Sequence, residues 1–280
     1  MRHSPIPRTI PTVNGIRLEA QMGSAQVQGE LWGRHAQTWA DGSERAMQDL
    51  YEATLTALEP LDGRSHLDAG CGAGLALALS VARGANVTGL DASDGLLAFA
   101  RTRLPEADLR VGEIEELPFT ADSFDIVTAF NSIQYAVHPA HAVAELARVC
   151  RPGGRVAIGV WGDPARCETE ALFARLRSLA PPPPGTPAPL AVSDTGVVEG
   201  LLADAGLHVN GGAEVPIPLE FTDLDQAWAR HAAAGPLQKV IDVAGESAVR
   251  SVLTEVLETD RKPDGALRQD NIMRYVIATK

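Results

Sequence analysis

The stretch Leu67-Asp68-Ala69-Gly70-Cys71-Gly72-Ala73-Gly74 decides how the rest of the chain is read. A short apolar run carrying one acidic residue enters three glycines, and Leu75 to Arg83 follows at helical spacing. The order is strand, tight turn, helix. Glycine lets a backbone turn and approach a ligand without a Cβ clash. A helix N-terminus directly behind such a turn offers unpaired N–H groups to an anion. A dinucleotide fingerprint reads GxGxxG, whereas the glycines here stand at 70, 72 and 74 and read GxGxG. Taken alone, the run also suits a purely structural turn.

Outward from this turn the alternation repeats. Strands are predicted at Val87–Leu90, Asp108–Val111, Phe124–Phe130 and Arg155–Trp161. Helices are predicted from Ser93, an N-cap type, to Arg103, and from Pro139, a residue suited to the first helical position, to Cys150. Gly84 is placed to end the Leu75–Arg83 helix. Strands alternating with helices of this length imply βαβ units and an α/β fold, a mostly parallel sheet with helices on both faces. Upstream, Ser43 is expected to cap a helix with Met47, Leu50, Tyr51, Leu55 and Leu58 inward, and residues 1–20 read as a loose arm. After Trp161 the alternation breaks. Helices are expected over 168–179, from Ser193 to Gly206, over 223–234 and over 247–258. Strands are expected at 215–221 and 272–278, and Pro181–Pro184 reads as a stiff linker.

Composition excludes several classes. The 280 residues carry 24 Lys+Arg against 36 Asp+Glu, a net charge of −12, which argues against nucleic acid because phosphate binding needs a basic surface. No apolar run reaches the ~18 residues a membrane span needs, and the N-terminus lacks the apolar segment of a signal peptide. Cys71, Cys150 and Cys167 form no CxxC pair, so neither a disulfide framework nor a metal site is expected. A cytoplasmic setting follows as the default. A negative surface does not steer acidic substrates inward, although one local arginine could still bind one.

Two further elements give the glycine turn a chemical meaning. Asp91 ends the second predicted strand, 21 residues after Gly70. An acid in that register bonds ribose hydroxyls in doubly wound folds; its bland alternative is a turn aspartate before Ser93. After the third strand comes Gly112-Glu113-Ile114-Glu115-Glu116. Glu115 and Glu116 suit a solvated acidic loop, while Glu113 with the next backbone N–H suits the amino edge of adenine.

Together these residues resemble the class I S-adenosylmethionine (SAM)-dependent methyltransferases, and most closely the type 11, ubiquinone-biosynthesis-like, small-molecule group. The resemblance spans about 65–161 and includes Phe124-Asp125-Ile126-Val127 and Arg151-Pro152-Gly153-Gly154. It implies a Rossmann-like seven-stranded sheet with the last strand antiparallel, and SAM as cofactor. It implies that Gly70, Cys71, Gly72 and Gly74 hold the methionine part, with Asp68 behind them. It places Asp91 on the ribose, Ala92, Glu113 and Ile114 on adenine, and Phe130 and Asn131 beside the sulfonium. The chain then divides into an N-terminal arm and lid segment (1–42), a SAM-binding core (43–162), a proline-rich insertion (163–192), and a C-terminal part with a helical cap (193–280). The implied partner is a small-molecule methyl acceptor, methylated on O, N or C, with neither nucleic acid nor membrane; a homodimer stays open.

The chain departs from the group after the fourth strand, where many relatives carry histidines and this sequence has Gln134 and Tyr135, with His138 three residues on. Gln134, Tyr135 and His138 are therefore only weak catalytic candidates, and His35, His141 and His231 are further bases to consider. Trp32, His35 and Trp39 form an i, i+3, i+7 stripe that suits either a lid helix or a core face. Alternatives to methyl transfer are a non-methyl reaction on the same fold, a non-catalytic SAM-binding protein, and an NAD-linked oxidoreductase, which the GxGxG spacing disfavours.

Overall fold

The computed structural model describes residues 12–13, 16–17, 23–181 and 192–280. The expected loose arm, apart from the pairing of Thr12–Val13 with Ile16–Arg17, and the proline run over 182–184 lie outside them.

Seven strands form the central sheet: β1 (Ser65–Ala69), β2 (Asn86–Asp91), β3 (Asp108–Val111), β4 (Phe124–Phe130), β5 (Cys150–Trp161), β6 (His208–Pro216) and β7 (Ile272–Thr279). Their order is β3-β2-β1-β4-β5-β7-β6. Neighbours from β3 to β5 pair in parallel, and β7 runs antiparallel to both β5 and β6. The strand order reverses between β1 and β4, and crevices at such a reversal, at the carboxyl ends of the strands, are where open α/β sheets hold ligands.

The helices are α1 (Ala25–Gly33), α2 (Gln48–Ala57), α3 (Leu75–Val81), α4 (Asp94–Arg103), α5 (Pro139–Val149), α6 (Thr169–Leu179), α7 (Val197–Asp204), α8 (Leu224–Ala232), α9 (Gly235–Ala244) and α10 (Glu246–Thr259). Val143 and Leu146 of α5 and Val198 and Leu202 of α7 are buried with one face of β4 and β5. Leu50 and Leu55 of α2 are buried against the other. A separate cluster joins Leu172 and Leu176 of α6 to Leu237 of α9 and to Val249, Leu253 and Val256 of α10, forming a helical cap. No helix among the described residues is long and apolar enough to cross a membrane.

Several local expectations need correction. The expected strand at 215–221 is split in two. Pro216 and Pro218 lack the N–H that a ladder requires, so β6 ends at Pro216 and Leu219–Phe221 pairs instead with Leu267–Gln269 in a small ribbon. Most of β6 is an exposed edge strand, which is why its polar residues escaped the apolar pattern. Ser43 caps nothing. It sits in helical conformation at the end of a π-helical turn, Trp39–Ser43, with Ala36–Thr38 and α1 already helical before it. Ser193 is buried with an unpartnered hydroxyl, and α7 begins later, behind Gly196. Helix α9 occupies residues for which no element was expected.

One buried polar chain ties the first βα unit together. His66 Nδ1 lies 2.7 Å from Ser80 Oγ and Nε2 lies 2.8 Å from Thr128 Oγ1. The Thr128 hydroxyl in turn donates to Asp68 Oδ1 at 2.7 Å. That direction makes Nε2 the protonated ring nitrogen and Ser80 the donor to Nδ1. Burial pushes the His66 pKa down to about 3, so the ring is neutral. Every link is fully or almost fully buried, and losing one partner strands the others. Thr128→Val should therefore destabilise the protein by about 1–3 kcal/mol, read as a lower urea midpoint. An unchanged midpoint would show that the chain carries no net stability.

Candidate functional site

The loop after β1 has an unusual backbone, with Gly70, Gly72 and Gly74 at φ 86°, 55° and 83°. A Cβ on Gly70 would stand 2.4 Å from the Ser132 Cβ, so only glycine lets this loop close on the segment after β4. The Gly70 and Cys71 N–H groups donate to the Leu90 carbonyl at 2.7 and 3.0 Å. Asp91 secures the next step: Oδ2 accepts from the Gly72 N–H and Oδ1 from the Ser93 N–H, both at 2.8 Å. A carboxylate offers about four lone-pair positions, so each oxygen can take another donor. Burial pushes the Asp91 pKa up, and its backbone N–H partners pull it back.

A cleft of about 800 Å³, part of it open to solvent, lies above these loops. Asp68, Gly70, Cys71, Gly72, Asp91, Ala92, Glu113, Ile114, Phe130, Asn131 and Tyr135 all line it. Asp68 is the end of the buried polar chain. Burial raises its pKa to about 7, opposed by the Thr128 hydrogen bond and reinforced by the charges of Asp91 and Glu44. The sign is unusual for an aspartate. Its protonation favours the fold at low pH, and that contribution fades as pH rises through 7.

Three expected residues stand elsewhere. Gly74 begins α3 and faces Ala100 and Leu104, away from the cleft lining. Gln134 lies behind the wall, donating to Asn131 Oδ1 at 2.5 Å while its own Oε1 is buried without a partner. His138 is exposed, at the N-terminus of α5.

Glu113 faces the cleft, but its carboxylate is already engaged. Oε2 accepts from the Ala25 N–H at 2.7 Å, and Oε1 from Ser24 Oγ at 3.3 Å and the Glu115 N–H at 3.2 Å. It thus fixes the start of α1, where a carboxylate is favoured by the helix dipole. Helix α1 lies across the start of α4 by close backbone approach: a Cβ on Gly29 would stand 2.3 Å from the Ala92 carbonyl oxygen. This seats Trp32 and, one turn beyond the helix, Trp39 over the cleft, their rings edge-on at 4.7 Å. His35, the third member of that stripe, is exposed.

Beyond the cleft is a second chamber of about 680 Å³. The two share Trp32, Trp39, Met47, Asn131 and Tyr135 as a wall. Asn131 holds φ 49°, a conformation rare outside glycine, at the point where β4 leaves the sheet. Burial pushes the Tyr135 phenol up to about 12, so it remains a proton donor. The chamber itself is lined by residues from β5, α6, the 217–221 segment, α8, α9 and β7. Of these, His231 was weighed from the sequence as a candidate base.

Glu44 was missed altogether. Buried in the cleft wall, it accepts from the Leu75 N–H at 3.2 Å and pairs with Arg103 at 2.8 Å. An acid 26 residues before the glycine turn carries no spacing signal.

Residues 67–158 match the family model described as a methyltransferase domain. The demethylmenaquinone methyltransferase of Clavibacter sepedonicus is 39% identical over 116 residues, covering 40% of this chain and 47% of that protein. The chain thus spans less than half the length of that relative. The 27-O-demethylrifamycin SV methyltransferase of Amycolatopsis mediterranei is 28% identical over 280 residues, covering 91% of this chain and 100% of that one. Among solved structures, the [4+2]-cyclase SpnF superposes with a TM-score of 0.61 at 19% identity, covering 92% and 96% of the two chains. That likeness concerns the fold. The family match and the sheet order agree in pointing to a methyltransferase-like unit over residues 67–158.

The seating of α1 generates a test. Gly29→Val should lift the helix from the Ala92 carbonyl and raise amide exchange over 25–33 by about tenfold or more, leaving β1, β4 and β5 protected. Unaltered exchange in α1 would mean that the close approach does not hold it.

Proposed function

We propose, starting from the methyltransferase domain at residues 67–158, that the chain transfers a methyl group from SAM to a small molecule held in the second chamber. The observation that carries this reading is the shared wall: a cleft lined by three buried carboxylates, Asp68, Asp91 and Glu44, adjoins a largely apolar chamber through Asn131, Tyr135 and Met47. The relatives named above act, by their names, on demethylmenaquinone and 27-O-demethylrifamycin SV, which supports a small-molecule acceptor. Three buried, free cysteines suit a reducing, cytoplasmic setting.

The cleft fits SAM on its own features. Asp91 has lone pairs left for two ribose hydroxyls after serving Gly72 and Ser93. Asp68, close to half-ionised near neutral pH, is suited to an ammonium group, whose charge would favour the carboxylate. The open face of the Gly70–Gly72 loop can lie against the methionine chain, and Ala92 and Ile114 give an apolar slot for adenine. Glu113 contributes by holding α1 over that slot, a positioning role in place of the direct adenine contact suggested by the sequence. When bound, SAM supplies an electrophilic methyl on a sulfonium.

The protein's task is placement. An acceptor atom held about 3–3.5 Å from the carbon it attacks, in line, gains much of the rate by orientation alone. Asn131 and Tyr135 stand where the two chambers meet, with Gln134 bracing Asn131 from behind. Tyr135, protonated at all working pH values, can donate to an acceptor oxygen but does not remove its proton. Trp32 packs edge-on against Tyr135 at 5.4 Å, closing the junction from the lid side.

Three outcomes check this reading. In calorimetric titration, Asp91→Ala should weaken SAM binding by about 1–3 kcal/mol, the scale of hydrogen bonds to a charged group; equal affinity in a folded variant would remove the ribose assignment. Wild-type affinity for SAM should rise as pH increases from 6 to 8, because the Asp68 carboxylate forms over that range, and Asp68→Asn should flatten the profile. A slope that persists in the asparagine variant would locate the titration elsewhere. Tyr135→Phe should lower turnover more than SAM affinity, whereas unchanged turnover would make the hydroxyl a packing feature.

A further inference from the structure

The second chamber is apolar on most sides. Trp161, Phe173, Ile217, Phe221, Leu237 and Met273 supply its main surfaces. Its small polar groups are largely spent inside the protein. Ser43 Oγ donates to the Arg230 carbonyl, Thr169 Oγ1 donates to Gln269, and His231 sits between the Ala227 carbonyl and Gln269. Burial lowers the His231 pKa, so its ring is neutral at physiological pH.

Arg230 is the exception. It is the one formally charged side chain in the described lining. Its Nη1 donates to the Glu220 carbonyl at 2.8 Å, Nη2 reaches the Gly42 carbonyl only at 3.5 Å, and its buried Nε has no partner. Among the described residues no carboxylate lies within 4.0 Å of it, although Arg34, Arg103 and Arg274 are each paired with an acid. Burial lowers its pKa, yet a guanidinium stays charged. In a chain with twelve excess negative charges, an unpaired, half-buried cation beside an apolar chamber is a costly arrangement. Its plane also packs near the Phe221 ring, 5.3 Å from the centroid, which fixes its position. Guanidinium groups bind carboxylates and other anionic oxygens in defined geometry.

We propose that the second chamber takes a mainly apolar molecule bearing one anionic oxygen group, a carboxylate or an ionised phenol or enol, and that Arg230 selects it by that charge. The inference rests on the methyltransferase reading only in calling this molecule the acceptor; the preference for an apolar anion stands on the chamber alone.

The test compares two nearly isosteric probes, 2-naphthoate and its neutral amide, 2-naphthamide, by calorimetric titration with and without S-adenosylhomocysteine. The wild-type protein should bind the carboxylate about tenfold or more tighter than the amide, the scale of one charge-assisted hydrogen bond. Arg230→Met should bring the two affinities together, while Arg230→Lys should keep most of the preference. A purely structural arginine would weaken both probes alike and leave their ratio unchanged. Equal wild-type affinities, no binding of either probe, or a preference that survives Arg230→Met overturns the proposal. The wild-type comparison needs no variant to fold. Failure of S-adenosylhomocysteine to bind, with the naphthoate preference intact, would count against the methyltransferase reading and leave the anion site standing.

Discussion

The Asp91 carboxylate, held by the Gly72 and Ser93 N–H groups, is the constraint on which the site depends. It joins the loops after β1 and β2, next to the point between β1 and β4 where the sheet order reverses. Without it the Gly72 N–H loses its side-chain partner, and the start of α4 loses the anchor that presents Ala92. Because Ala92 in turn receives α1 through Gly29, the lid is registered on the same carboxylate. One buried acid therefore sets the floor, one wall and the cover of the cleft. Its remaining lone pairs are the part left for a ligand.

A separate polar chain reaches the cleft from α3. Ser80, His66, Thr128 and Asp68 run through the sheet from α3 to the cleft. Its interior members are uncharged, consistent with the cost of burying unpaired ions. Only the terminal aspartate titrates near neutrality, and it does so at the face where a cation would meet it. Rigid support and chemical responsiveness are thus separated along one hydrogen-bonded line.

Much of this was legible in the sequence because it is local. The GxGxG turn, Asp91 and Glu113 each follow a strand whose apolar pattern is plain, and the five parallel strands appear close to their predicted positions. What escaped reading depends on distant contacts or on weak patterns. Edge strand β6 is polar because it is exposed. Glu113 faces Ala25 across 88 residues, and no spacing rule reports that a lid will claim its carboxylate. The second chamber is assembled from single residues between Trp32 and Met273. Arg230 looks like any surface helix arginine until the fold places it beside Phe221 without an acid. Such additions, rather than the sheet, carry specificity.

The most direct measurement is a crystal structure of the protein with S-adenosylhomocysteine. The ligand should lie in the cleft above the glycine turn, with ribose hydroxyls on Asp91, the ammonium beside Asp68, the adenine between Ala92 and Ile114, and the sulfur turned toward Asn131 and Tyr135. Density for the ligand in the apolar second chamber, or an empty cleft at saturating concentration, would contradict it.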